Sequence, residues 1–282
     1  MKKLIMALFL VPMLAGSVFA EKVIYVHGFS PTKSNAQCQD KQSCEYWSAV
    51  APVGDHVYVG YDGRLNPFGG TSVSGSVRLL AMLNKYCRAD QGQSCRIVAD
   101  SMGGYTTAGV ISMYNRNNTY NINYTTQIVS AEGGTELGNL GDGALDLLNA
   151  IFGGVTNLIT ARDAIEALAV SYARGLFDHN RNNGTNFYHV AGTKTNFLAG
   201  AVLLGKDDGV IPMHSSCGYR NSGAFSRCGG EKIRTCGWCF WQRKKFISAW
   251  DNHYVHPDMP VTGLNIGHND GAVKFTYQNT LQ

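Results

Sequence analysis

Short apolar runs alternate along this chain with stretches whose apolar residues recur at helical spacing. Lys22 to Val26 is a compact apolar strand that runs into His27-Gly28-Phe29, and His56 to Tyr61 reads as a second strand. A Gly/Ser-rich loop from Asp62 to Gly75 follows. Val77, Leu79, Leu80 and Leu83 then fall on one helical face, which predicts a helix over Val77 to Tyr86. Arg96-Ile97-Val98 predicts a strand and Tyr105 to Tyr114 a helix. Thr126 to Ala131 is the next strand, ending in Glu132-Gly133-Gly134. Ala144 to Ile159 and Ala161 to Leu176 have helical character, and Asn186 to Ala191 and Ala201 to Leu204 complete the predicted strands. Strands that alternate with helices call for a mostly parallel sheet covered on both faces, an α/β, doubly wound architecture.

Residues 1–20 are read apart from the fold. A basic start (Met1-Lys2-Lys3), an apolar stretch from Leu4 to Leu14 and small residues in Val18-Phe19-Ala20 give the layout of an export signal. The expectation is a signal peptide over 1–20 and one domain over 21–282, with no transmembrane anchor once the signal is removed. Within that domain the 137–180 insert is expected to be a cap or lid, and a Cys-rich segment at about 215–250 a peripheral addition. The chain has 24 Lys and Arg against 20 Asp and Glu, and Arg243-Lys244-Lys245 is the one basic run that stands out. Nucleic acid is therefore not an expected partner.

Eight cysteines lie beyond residue 20: Cys38, Cys44, Cys87, Cys95, Cys217, Cys228, Cys236 and Cys239. An even count behind an export signal is expected of disulfides formed in an oxidising compartment, so the protein is expected to be secreted or periplasmic. Cys38 with Cys44, and Cys87 with Cys95, are expected to close two local loops. The last four leave other readings open. Cys236-Gly237-Trp238-Cys239 has the spacing of a redox pair, and all four together have the ligand types of a zinc site.

The chemistry is most legible at Val98-Ala99-Asp100-Ser101-Met102-Gly103-Gly104. A serine between small residues, at the corner between a strand and a helix, is a nucleophile elbow. The turn is too tight for flanking side chains, and the helix N-terminus points at the hydroxyl. Among 33 glycines a short match of this kind carries little alone; its strand-turn-helix setting raises it. A serine hydroxyl also needs a histidine to take its proton, a carboxylate to orient that histidine, and N–H donors for the oxyanion. Asp208, in a Gly-flanked turn after the apolar Leu203-Leu204, is the candidate acid, with Asp207 as the fallback. His268, in Gly267-His268-Asn269-Asp270, is the candidate base, with His253 and His256 as rivals. The backbone N–H groups of Phe29 and Met102 are the candidate oxyanion hole. His27 is expected to brace its loop by hydrogen bonding.

Val26-His27-Gly28-Phe29, Ala99-Asp100-Ser101-Met102-Gly103-Gly104, Asp208-Gly209-Val210-Ile211-Pro212 and Gly267-His268 resemble the four landmarks of the α/β-hydrolases, and more closely those of secreted bacterial lipases and esterases. The resemblance covers four short blocks in order along the chain. It implies a sheet that starts at the family's third strand and hydrolysis of carboxylic esters through an acyl-enzyme, on medium or long acyl chains. Asp100 departs from the pattern, since a histidine often stands beside the serine; two readings stay open, a charge beside the site that raises the pKa of His268 and one that points into solvent. Glu132-Gly133-Gly134-Thr135-Glu136 stands where these lipases often have a Pro-containing loop, so the resemblance leaves the shape of the acyl pocket open.

Apolar residues of the insert, among them Leu145, Leu148, Ile151, Phe152 and Val155, exceed one buried stripe. Two readings stay open, a mobile lid whose apolar side meets lipid transiently and a fixed cap helix. The expected partner is an ester or lipid substrate. No cofactor is required, and no ligand cluster points to calcium. Other functions compatible with the sequence are an acyltransferase or polyester depolymerase using the same triad, a non-catalytic secreted binding protein, and a disulfide oxidoreductase working through Cys236 and Cys239.

Overall fold

The computed structural model describes residues 21–31, 34–38, 44–47, 54–140, 158–194, 206–217 and 262–268, the short strands at 232–234 and 244–246, and single positions near these segments. Residues 1–20, where a signal peptide is expected, most of 141–157, most of the Cys-rich segment, His253 and His256 lie outside the described residues.

Among the described residues six strands form one sheet. They are β1 (Lys22–Val26), β2 (Asp55–Val59), β3 (Cys95–Asp100), β4 (Ile122–Ile128), β5 (Asn186–Gly192) and, after a separate antiparallel pair β6 (Lys232–Arg234) and β7 (Lys244–Phe246), β8 (Thr262–Leu264). Their spatial order is β2-β1-β3-β4-β5-β8, and every neighbouring pair is parallel. The chain leaves β1 in one direction to make β2, then returns to the other side of β1 to make β3. That reversal opens a crevice beyond the C-terminal ends of β1 and β3, where sites form in doubly wound sheets.

Strand alternation sorts the core into two layers. Ile24, Val26, Ile97 and Ala99 face α1 (Gly75–Tyr86) and α2 (Met102–Tyr114), meeting Leu79, Leu83, Met102, Tyr105 and Ile111. Val23, Tyr25 and Val98 face the other way, toward Trp47, Tyr58, Ile128, Val190 and Ile266. Buried on both faces, β1 and β3 read as near-continuous apolar runs. The cost of truncating such a side chain, about 2–5 kcal/mol for Leu→Ala, is what fixes the sheet under the site.

Three sequence expectations shift. β4 begins at Ile122, four residues before the predicted start, because Asn123 and buried Thr125 belong to the strand although neither is apolar. The helix expected over Ala161 to Leu176 is two short helices, Arg162–Ala167 and Val170–Gly175. Ala169 between them is extended, with φ −58° and ψ 137°, and bridges Thr135. Finally, Val202 and Leu203 form a turn and a bend and not a strand. Their apolar character comes from packing on the core cluster, and the sheet is completed by β8.

Among the described residues two disulfides tie local loops, Cys38–Cys44 and Cys87–Cys95. Cys217 ends a short helix, Met213–Cys217; its side chain, with Cys228, Cys236 and Cys239, falls outside the described residues. No helix among the described residues is long and apolar enough to cross a membrane.

Candidate active site

Ser101 sits between β3 and α2 with φ 52° and ψ −124°. A residue with a side chain is rarely found in that region, which costs about 1–3 kcal/mol and persists only where the surroundings enforce it. Here they do. Ser101 N–H donates to Ile128 O at 2.9 Å, and Ser101 O accepts from Gly104 N–H and Ala131 N–H, both at 3.0 Å. Small residues permit the closeness. A Cβ on Gly103 would meet the carbonyl oxygens of Val26 and His27, so α2 starts directly against the end of β1 only because position 103 has no side chain.

Residues far apart in sequence meet at this serine. Ser101 Oγ lies 2.8 Å from His268 Nε2, and His268 Nδ1 lies 2.8 Å from Asp208 Oδ2. Asp208 is held in turn: its Oδ1 accepts from Val210 N–H at 2.9 Å and Ile211 N–H at 2.7 Å. Asp207 does not reach the imidazole; its Oδ1 accepts from Gly209 N–H at 2.8 Å and shapes the same turn. Between the two acids that the sequence leaves open, Asp208 is the one on His268.

Burial alone pulls the pKa of His268 down, but the net shift is upward. The charge and hydrogen bond of Asp208, followed by the charge of Asp100, favour the imidazolium. Asp100 is itself buried, 2% exposed, and does not point into solvent.

Beyond β1, His27 is buried and its ring stacks on Tyr61, with centroids 3.9 Å apart. Its Nδ1 lies 2.8 Å from Gly28 O and its Nε2 3.2 Å from Tyr61 O. Burial lowers its pKa to about 4, so at neutral pH it is an uncharged brace, donating from one ring nitrogen. Tyr61 Oη donates to His27 O and, at 3.4 Å, to Gly28 O. These contacts fix the loop that carries Phe29. Met102 opens α2, where first-turn N–H groups have no intrahelical acceptor.

Glu132, in the loop after β4, is buried against His179, with Nδ1 and Oε1 3.1 Å apart. Arg174 Nε donates to Gly133 O at 2.9 Å. The segment that departs from the lipase pattern is thus tied to residues 158–194. Tyr46 and Tyr61 are the site residues that sequence reasoning missed. The sole local signal for Tyr46 is its place two residues after Cys44. Among the described residues no cluster of three or more His, Cys, Asp and Glu is arranged to hold a metal ion.

No protein-family model matches the chain, and no curated protein matches it in sequence. Among solved structures the chain is similar to the mature lipase BlEst2 of Bacillus licheniformis, 19% identical over 70% of this chain and 79% of that one, with a TM-score of 0.49. It is similar to the phospholipase PlaB of Legionella pneumophila, 19% identical with a TM-score of 0.49, over 70% of this chain but only 45% of that one. EstA of Clostridium botulinum is 12% identical over 90% of this chain and 83% of its own, with a TM-score of 0.47. The chemistry of the site rests on this chain's own side chains.

Proposed function

We propose that this protein, an α/β-hydrolase by its fold, is an exported serine esterase that cleaves carboxylic esters with lipid-like acyl groups. The observation that carries the reading is the relay from Ser101 Oγ through both ring nitrogens of His268 to Asp208, each step 2.8 Å, on a serine forced to positive φ.

Asp208 accepts a hydrogen bond from Nδ1–H and so leaves Nε2 as the acceptor facing Ser101. As Ser101 Oγ attacks the acyl carbon, Nε2 takes its proton. The N–H groups of Phe29 and Met102 donate to the oxyanion, aided by the N-terminal dipole of α2. The imidazolium returns its proton to the leaving alkoxide, and the ester bond breaks. Water, deprotonated by His268, then releases the acid and restores the hydroxyl. The two disulfides support an oxidising compartment, extracellular or periplasmic.

Hydrolysis of p-nitrophenyl esters from acetyl to palmitoyl, by wild type and by Ser101→Ala, tests the reading. Loss of at least about 10⁴-fold in kcat/KM is expected for the variant, with wild type favouring medium or long chains. Retained turnover in Ser101→Ala would overturn it. Acyl transfer to an added alcohol in preference to water would replace hydrolase by acyltransferase.

A further inference from the structure

Asp100 is the last residue of β3, next to Ser101, and is 2% exposed. With Asp208 already on His268 Nδ1, the relay assigns it no task. Burying a carboxyl is costly unless something answers it. Strand alternation puts it on the same side as Val98, facing the layer of Ile128, Val190 and Ile266; Ile266 lies two residues before His268.

One group holds it there. Tyr46 Oη donates to Asp100 Oδ2, while Oδ1 has no hydrogen-bond partner among the described residues. Tyr46 is itself fixed. It lies in the 3-10 turn Glu45–Trp47, directly after the Cys38–Cys44 bridge, and Trp47 N–H donates to Cys44 O at 2.9 Å. Its ring meets Trp47 at 5.4 Å and His27 at 5.5 Å, and its oxygen takes a hydrogen bond from the Gly28 N–H. A Cβ on Gly28 would lie 2.6 Å from that oxygen and 2.6 Å from Ser101 Cβ. The tyrosine thus touches the loop after β1 and the carboxyl beside the nucleophile at once.

We propose that Asp100, held by Tyr46, is a positioning residue that acts on His268 from the nucleophile's own strand and sets the pH at which the imidazole becomes a free base. This rests on the serine-hydrolase reading above. Burial pushes the Asp100 carboxyl up to about 7, against the charge of His268 and the Tyr46 hydrogen bond, with the charge of Asp208 adding to the push. The groups facing it are Tyr46 from the 3-10 turn, Tyr61 from beyond β2, Asp208 from beyond β5 and His268 from beyond β8. Both tyrosines are raised and stay neutral, and so does His27 at neutral pH. Lys194 and Asp270, paired at 3.2 Å, flank Gly267 on the exposed side. Asp208 and Asp100 are then the carboxylates that favour the imidazolium.

The sign follows. A charged Asp100 raises the His268 pKa, so its removal frees the base at lower pH. Tyr46→Phe acts the same way, because loss of the hydrogen bond favours the neutral carboxyl.

The test uses the full chain with its disulfides intact. The His268 ring nitrogens are titrated by 15N NMR, and kcat/KM for p-nitrophenyl butyrate is followed against pH, in wild type, Asp100→Asn, Tyr46→Phe and Asp100→Glu. In Asp100→Asn both the titration and the acid limb are expected to fall by about 1 in pH, giving up to about tenfold more of the wild-type plateau fraction below the limb. Tyr46→Phe moves in the same direction, and Asp100→Glu stays near wild type. A folded Asp100→Asn or Tyr46→Phe whose His268 titrates at the wild-type pH overturns the inference, even if kcat drops. Labelling of wild-type Ser101 by a fluorophosphonate separates the two readings. Label with no shift sinks this inference alone, and absence of label removes the hydrolase reading beneath it.

Discussion

Asp208 reaches His268 twice. Its Oδ2 lies 2.8 Å from Nδ1 of the ring, and its backbone carbonyl accepts the His268 N–H, also at 2.8 Å. Side chain and main chain of one residue therefore fix both the orientation of the imidazole and the loop that carries it. Asp208 is held by its own turn, so the whole assembly is referred back to the ends of β5 and β8.

This double grip makes Asp208→Asn informative. Its amide oxygen can keep the Val210 and Ile211 N–H bonds, which turns the NH₂ toward His268. The ring must then accept at Nδ1 and carry its proton on Nε2, where it cannot take one from Ser101. A drop in kcat on the order of 10⁴-fold is expected with little change in KM or melting temperature. A loss under tenfold in steady-state kinetics would show that the tautomer is set elsewhere.

The activity profile has a defined direction. His268 is raised above 6.5, and only the neutral ring accepts a proton, so kcat/KM rises as pH climbs through that raised value. The stability contributed by its charged form runs the other way: present in full below 6.5 and lost as pH rises through the folded value. A flat rate profile between about pH 5 and 8 would contradict this assignment of the base.

His27 has the opposite linkage. Its folded pKa is lowered to about 4 from 6.5, so stability is full above 6.5 and falls as pH drops toward 4. The contribution is about 3 kcal/mol over that window. Denaturant unfolding at pH 7 and pH 4 should show a smaller acid loss in His27→Gln than in wild type. Equal losses would mean that His27 is not buried neutral.

Gly28 has no room for a side chain. Gly28→Ala places a methyl 2.6 Å from Ser101 Cβ and from Tyr46 Oη. Moving this loop by a few tenths of an ångström misaims the Phe29 N–H, so kcat is expected to fall about 10²-fold. Near-wild-type kcat in this variant would argue against the loop after β1 as an oxyanion donor.

The bridges close loops whose cysteines are 6 and 8 residues apart. Chain entropy assigns each about 2–3 kcal/mol. Cys87→Ala with Cys95→Ala, remote from the relay, should lower the unfolding free energy by that amount and leave kcat near wild type. Abolished turnover in a folded double variant would contradict a structural role.

Where sequence and structure agree, the cause is local. β1 and β3 are apolar because both their faces are buried, and the elbow is written in adjacent residues, from Val98 to Gly104. Asp208 and His268, the candidate acid and base that the structure brings together, each stand in a Gly-containing turn near a strand end. What escaped the sequence depends on partners far along the chain. β8 has three residues, and its pairing with β5 makes it a strand. The break at Ala169 contains neither Gly nor Pro and exists because Thr135 pairs there. Tyr46 lies 54 positions from Asp100, and no spacing rule links them.

Covalent acylation of Ser101 is the step on which the proposed hydrolysis depends. Intact-mass and peptide-level mass spectrometry of enzyme quenched during turnover of p-nitrophenyl butyrate measures this directly, with His268→Ala and Ser101→Ala alongside. One butyryl group is expected on the peptide bearing Ser101 in wild type and none in either variant. A butyryl group on any other residue, or turnover with no acylated species and no burst of nitrophenol, would contradict it.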